Sequence, residues 1–215
     1  MGSRRFPGKV LASFLGKPML QFQVELLKQY GFGGNLVVAT SIEKKDDAIE
    51  GLCEKLGVEI YRGNEENVFS RFKAVAFANP NTTIVRLTAD NPLPNKKLLK
   101  EVLAFHHSEK SLFTSSRLIE NKKIIRRTLP KGYSIDVFQT KIFDLINDEE
   151  LTPYDKEHVI PPFYRVCNVK LFSKTDFQNL PPITIDSPLD LKNVTHLVND
   201  QMSMHKFEEF LGITK

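Results

Sequence analysis

Three short segments hold residue types that can act together on a phosphate ester. The first is Gly2-Ser3-Arg4-Arg5-Phe6-Pro7-Gly8-Lys9. A triphosphate carries about four negative charges, so its site needs backbone N–H donors and fixed cations. Gly2 and Gly8 permit close backbone approach, and Ser3 offers a hydroxyl. Arg5 and Lys9 are spaced to put two cations on one rim, with Pro7 stiffening the turn. A solvated basic turn reads the same way, and the segment lacks the GxxxxGK[ST] of a P-loop. The second segment is Arg86-Leu87-Thr88-Ala89-Asp90-Asn91-Pro92, with Asp90 just past an apolar run. The third is Ile183-Thr184-Ile185-Asp186-Ser187-Pro188, where another apolar run ends in an Asp before a helix start. Two such carboxylates suit Mg²⁺, which takes one or two of them along with phosphate oxygens and water. Each also has a plain alternative: Asp90 capping the next turn, and Asp186 capping the next helix.

Smaller signals surround these. Arg62 sits at a strand-end turn and Arg71 on the helix after it, placed for a ligand or for surface ion pairs. His158 follows Pro153 on a helix start, placed for an acidic substrate or for a structural contact. His106-His107 lies near a helix end and implies no more than a favourable dipole contact. No Ser/His/Asp or Cys/His set has the context for nucleophilic catalysis.

The elements that must position these residues are legible in the periodicity. Helical spacing marks 20–30, 46–56, 68–77 and 96–107, and short β-branched runs mark strands at 35–39, 58–61 and 83–88. This alternation predicts an α/β domain with a mostly parallel sheet and helices on both faces. After about residue 110 the pattern shifts to strands at 112–117, 124–129 and 134–138, which read as a mixed-strand insert. A further strand is expected to end at Thr184 to Asp186. Ser187, Pro188 and Asp190 then open a helix. An open α/β sheet binds ligands beyond the carboxyl ends of its strands, where both aspartates fall. Such a unit normally starts with a buried strand leading into the phosphate loop. Here the sequence begins inside the loop, so that first strand is expected to be missing.

The bulk numbers set limits. The chain has 215 residues, 41% hydrophobic and 26% charged, which is ordinary globular composition and enough for one domain over 1–215. No apolar run nears the roughly 18 residues of a membrane span. Met1 to Val10 is polar and basic and does not read as a signal peptide. Cys53 and Cys167 have no metal-site or CxxC spacing, so they read as free thiols in a reducing cytoplasm. The net charge of +4 is too mild for a nucleic-acid partner.

Taken together, GSRRFPGKVL, GKPML, VVATS, RGNEENVFSRF, VRLTADNPL, KEHVIPPF and ITIDSPLDL resemble, in order, the cytidylyltransferase family of the spore coat polysaccharide biosynthesis protein F type. That family is similar to the CMP-sialic-acid and CMP-KDO synthetases. The resemblance implies a Rossmann-like nucleotide-diphospho-sugar transferase fold. It implies CTP over Gly2 to Lys9, with Gly2 and Ser3 in the loop and Arg5 and Lys9 at the phosphates. Asp90 and Asp186 would hold Mg²⁺. Ala39, Thr40 and Ser41 would line the cytidine pocket, and Arg62 and Arg71 would shape the site. Residues 110–180 would serve homodimer contacts and sugar binding. Asp136 stands where the family often has an Asp-x-Glu pair, which makes Asp136 and His158 the expected sugar contacts. The implied reaction moves CMP from CTP to an acidic sugar for surface polysaccharide synthesis. Two other readings stay open: the same fold using another nucleotide or a sugar phosphate, and a truncated relative that binds nucleotide without turnover.

Overall fold

The computed structural model describes residues 2–3, 5–201 and 203–213. Met1 and Arg4 of the basic loop lie outside them. A two-residue hairpin, β1 (Ser13–Phe14) and β2 (Lys17–Pro18), leads into α1 (Met19–Leu27). Then β3 (Val37–Ser41), α2 (Asp47–Leu56), β4 (Glu59–Gly63), α3 (Val68–Ala78), β5 (Thr83–Arg86) and α4 (Lys96–Ser108) alternate as their periodicity predicts. The second half holds β6 (Phe113–Ser115), β7 (Arg117–Glu120), β8 (Lys123–Arg127) and β9 (Asp136–Gln139). It continues with α5 (Pro153–His158), α6 (Phe163–Val166), β10 (Lys170–Leu171), α7 (Pro188–Gln201) and α8 (Met204–Phe210). Local chemistry sets several ends. Gly57, at φ 57°, turns the chain left-handed after α2 and donates to the Cys53 and Glu54 carbonyls. Thr152 and Asp155 form a reciprocal capping box at α5.

The α/β class holds, and pairing is more mixed than mostly parallel. β3 and β4 pair in parallel, and so do β6 and β10. β9 runs antiparallel to both β5 and β6 and joins them in a four-stranded sheet, β10-β6-β9-β5. β7 and β8 form a separate antiparallel hairpin. Among the described residues, β3 has no strand beside it but β4, and β5 none but β9. α1 lies across both sheets: Leu20 and Val24 pack with Ile49 and Cys53, while Met19, Leu26 and Leu27 pack with Leu98 and Val137. The residues of β5, and Val37 to Ala39 of β3, stay only half-buried. The expected strand ending at Asp186 does not form a ladder. Ile183 to Asp186 is tied by single bonds instead, from the Ile183 N–H to the Lys131 carbonyl and from the Ile185 N–H to the Asp90 carbonyl.

The abundance of Phe has a packing explanation. Phe163 sits fully buried among Phe69, Phe113, Phe138 and Phe143, at ring separations of 4.9–6.4 Å. These aromatic contacts weld α3 to the antiparallel half of the sheet. His106 lies in the last turn of α4, as its reading near a helix end expects, but it is interior. It is 1% exposed, and its Nδ1 pairs with Thr114 Oγ1 at 2.9 Å.

Burial, and then the neighbouring His107, depress the His106 pKa from 6.5 to about 4. The folded state therefore holds this imidazole neutral. Its contribution is complete above pH 6.5 and is lost as the pH falls toward 4, because the unfolded chain takes the proton first. Urea unfolding across this window should show His106→Gln losing less stability than the wild type, by on the order of 2–3 kcal/mol. Parallel pH profiles for the two proteins would remove this role.

Candidate functional site

The basic loop closes on the two aspartates. Gly8, at φ 71°, turns the chain so that Lys9 opens a short 3-10 helix, and Ser3 Oγ accepts from the Phe6 N–H at 3.3 Å. Lys9 Nζ then lies 3.3 Å from Asp90 Oδ2 and 3.1 Å from Asp186 Oδ1, and it donates to the Ile185 carbonyl at 3.1 Å. Arg5 reaches Asp186 at 3.0 Å from the solvent side, and Lys131 approaches the same carboxylate at 3.5 Å. The Asp186 side chain is 14% exposed. Burial works to raise its pKa, but Lys9 above all, then Arg5 and Lys131, hold it below the usual carboxylate value.

Local bonding aims the two acids. Thr88 Oγ1 donates to Asp90 Oδ1 at 2.5 Å, Asn91 Nδ2 holds Thr88 Oγ1, and Thr184 Oγ1 holds Asn91 Oδ1. The two acid-bearing segments are thus laced together side by side. Ser187 Oγ accepts from the Asp190 N–H while Asp190 Oδ2 accepts from the Ser187 N–H, a reciprocal cap on α7. The Asp186 carboxylate is therefore not the helix cap and is free to face the loop.

The other expected residues divide. Gly2 lies against Glu65, where a Cβ would come within 2.8 Å of Oε1. The Thr40 and Ser41 hydroxyls both donate to Asp46 Oδ2, at 2.7 and 2.6 Å, which fixes the end of β3. Arg62 is wholly engaged: it bonds the Ser41 and Glu43 carbonyls and pairs with Asp47 and Glu50, so its placement is that of an ion-pair brace. Arg71 differs. It is 9% exposed, it makes only long bonds to the Ala39 and Glu65 carbonyls at 3.5 and 3.4 Å, and its Nε has no partner among the described residues. Burial lowers its pKa, against the attraction of Asp46 and Glu65. A desolvated guanidinium without a bonded carboxylate among the described residues has N–H capacity left over for an anion.

Asp136, the expected sugar contact, is instead turned inward onto protein partners. It is 1% exposed, and both oxygens are taken: Oδ2 by Arg86 at 3.0 Å and Arg117 at 2.6 Å, Oδ1 by Ser115 at 2.8 Å. His158 sits exposed at the end of α5, its ring edge-on to Tyr154 at 4.2 Å. Desolvation first, then the positive field of Arg86 and Arg117, outweigh Glu157 and lower its pKa. Sequence reasoning missed Arg86, Arg117 and Lys131. An arginine inside the apolar run TIVRLT was a readable signal for the first; Arg117 and Lys131 gave none.

The chain matches the family model described as "Cytidylyltransferase" over residues 1–204. It is 34% identical over 170 residues to the spore coat polysaccharide biosynthesis protein SpsF of Bacillus subtilis, covering 77% of this chain and 70% of that one. It is 32% identical over 102 residues to the 3-deoxy-manno-octulosonate cytidylyltransferase of Geobacter metallireducens, covering 47% and 39%. A solved cytidylyltransferase from Leptospira borgpetersenii serovar Hardjo-bovis superposes with a TM-score of 0.81 at 25% identity, covering 99% of this chain and 89% of that one.

Lys9 is the group that lets two acids share one small volume. In Lys9→Met the Asp186 carboxyl should titrate upward, through loss of its strongest stabilising charge, as read by carboxyl-carbon NMR. An unmoved Asp186 titration would show that Arg5 and Lys131 suffice.

Proposed function

The chain belongs to the cytidylyltransferase family, and from that premise we propose that it transfers CMP from CTP to an acidic sugar of the nonulosonate type, releasing pyrophosphate, in the cytoplasmic synthesis of a surface polysaccharide. The observation that carries this reading is the convergence of Asp90 and Asp186 on one cation beside the basic loop. In the proposed complex the triphosphate lies over Gly2 to Lys9. Ser3 and the loop amides donate to it, and Arg5 and Lys9 face its outer phosphates. Arg71 offers its unpartnered N–H from beneath the loop, and the Ala39 to Ser41 backbone borders the base.

Asp90 and Asp186 fit a divalent cation: both carboxylates reach the same ammonium within 3.3 Å, and two carboxylates leave room for phosphate oxygens and water. Mg²⁺ held there would neutralise phosphate charge and make the attacking hydroxyl more acidic. The protein's own part is positioning and charge. Lys9 turns from the carboxylates to the leaving phosphates, Arg5 follows from the rim, and a sugar hydroxyl is held in line with the α-phosphorus. His158, at the end of α5, would border the sugar side. The exposed Ile124 and Ile125 on β8 support a homodimer through the β7–β8 hairpin.

Asp90→Ala should cut pyrophosphate release from CTP by about 100-fold or more while the thermal midpoint holds. Near-normal release by that variant would sink the role of Asp90. With the four nucleoside triphosphates compared in turn, CTP should dominate. Preference for another one would replace the nucleotide but keep the reaction class.

A further inference from the structure

One amide interrupts an otherwise apolar helix face. Along α1 and the turn after it, Leu20, Gln23, Leu27 and Tyr30 follow the three- and four-residue spacing of a single face, and each is 5–7% exposed. An amide removed from water is costly unless it is bonded. Gln23 Nε2 donates to the Thr88 carbonyl at 3.2 Å and to the Asn91 carbonyl at 2.9 Å. Those carbonyls belong to the first and last residues of a four-residue turn, closed by the Asn91 N–H on the Thr88 carbonyl at 3.1 Å. Asp90 is the third residue of that turn. One buried side chain therefore grips both ends of the segment that presents an acid of the site.

The turn needs that grip. It is laced to the other acid-bearing segment by Thr184 Oγ1 on Asn91 Oδ1 and by the Ile185 N–H on the Asp90 carbonyl. Beside Gln23, however, it borders a cavity of about 20 Å³ lined by Gln23, Thr88, Asn91, Leu93 and Tyr133. Close packing is incomplete there, so directed bonds must set the position of the turn. α1 also carries the basic loop. The Met19 N–H donates to the Ala12 carbonyl at 3.0 Å, and Val10 and Leu11 pack on the cluster that holds Leu20 and Val24. We propose that Gln23 is a positioning residue: by clamping both ends of the Thr88–Asn91 turn to α1, it fixes where Asp90 stands relative to Lys9 and the loop. This rests on the role of Asp90 in the function proposed above. Gln23 acts through the backbone that carries Asp90, and a displacement of about 1 Å is enough to slow a transfer that depends on alignment.

The experiment compares the wild type with Gln23→Met, which keeps the volume and removes the donor, and Gln23→Glu, which keeps the shape and donates only while its carboxyl is protonated. Each is measured for kcat and KM in pyrophosphate release from CTP with a nonulosonic acid across a pH series. Each is also measured for hydrogen exchange at the Asn91 amide, which closes the turn. In Gln23→Met kcat should fall by about 10- to 100-fold with KM for CTP within about twofold of the wild type. The Asn91 amide should exchange about 10-fold faster or more, while the amides of β9 hold their rates. Burial and the two facing carbonyls favour a protonated carboxyl. The kcat of Gln23→Glu relative to the wild type should therefore climb as the pH falls, and that of Gln23→Met should not. An unchanged kcat in Gln23→Met, or a loss that Gln23→Glu shares at every pH, overturns the clamp. So does faster exchange spread evenly through α1 and β9, the mark of a residue that only packs. If the wild type releases no pyrophosphate with this acceptor, the transfer reading falls and the exchange data decide alone. An Asn91 amide unmoved by Gln23→Met then refutes the clamp, and one released selectively sustains it. If Gln23→Met does not fold, the pH profile of Gln23→Glu decides.

Discussion

Two carboxylates that are both ionised repel each other in a small, half-dry space, and a cation between them removes that cost. In this chain the ammonium of Lys9 fills that place, touching Asp90, Asp186 and the Ile185 carbonyl at once. The contact joins segments 81 and 177 residues apart, so it ties the first loop to both halves of the fold. Removing the ammonium would leave two carboxylates facing each other, whereas removing either acid leaves an ion pair. The ammonium holds both acid-bearing segments against the first loop.

Much of this was legible before any coordinates. Asp90 and Asp186 stand after apolar runs, the loop is rich in Gly and basic residues, and the order of the motifs carried the family. Local signals also placed α2, α3 and α4 within a residue or two. What could not be read was pairing. Asp136 looks like any strand acid, and only burial between Arg86 and Arg117 shows that its oxygens are taken. Thr40 and Ser41 look like pocket hydroxyls, yet they answer to Asp46, five or six residues on. Segment 183–186 has strand composition but forms no ladder, because it is held crosswise by single bonds to Lys131 and Asp90. Composition reports which groups a chain owns; it does not report which of them have already found each other.

The aromatic cluster gives the charged cluster its rigidity. Phe138 and Phe113, on β9 and β6, anchor the strands that carry Asp136 and Ser115, while Phe72 of α3 lies beneath Arg86. A guanidinium held out of water needs walls that do not yield, and interlocked rings supply them at little entropic cost. The second half of the chain therefore does more than cover the sheet: it sets Asp136 and Arg117 against Arg86 of β5.

The sheet itself is unevenly secured. β9 is hydrogen-bonded on both sides, whereas β3 and β5 each lack a neighbour on one side among the described residues. One outward carbonyl of β3, that of Ala39, is met only by a long bond from Arg71. Main-chain groups without a strand partner exchange more readily than those inside a ladder. The molecule should accordingly loosen in a fixed sequence under thermal agitation, with deuterium entering the margins of β3 and β5 early and the amides of β9 late. The strand that carries Arg86 should be among the first to breathe, and the strand that carries its partner Asp136 among the last.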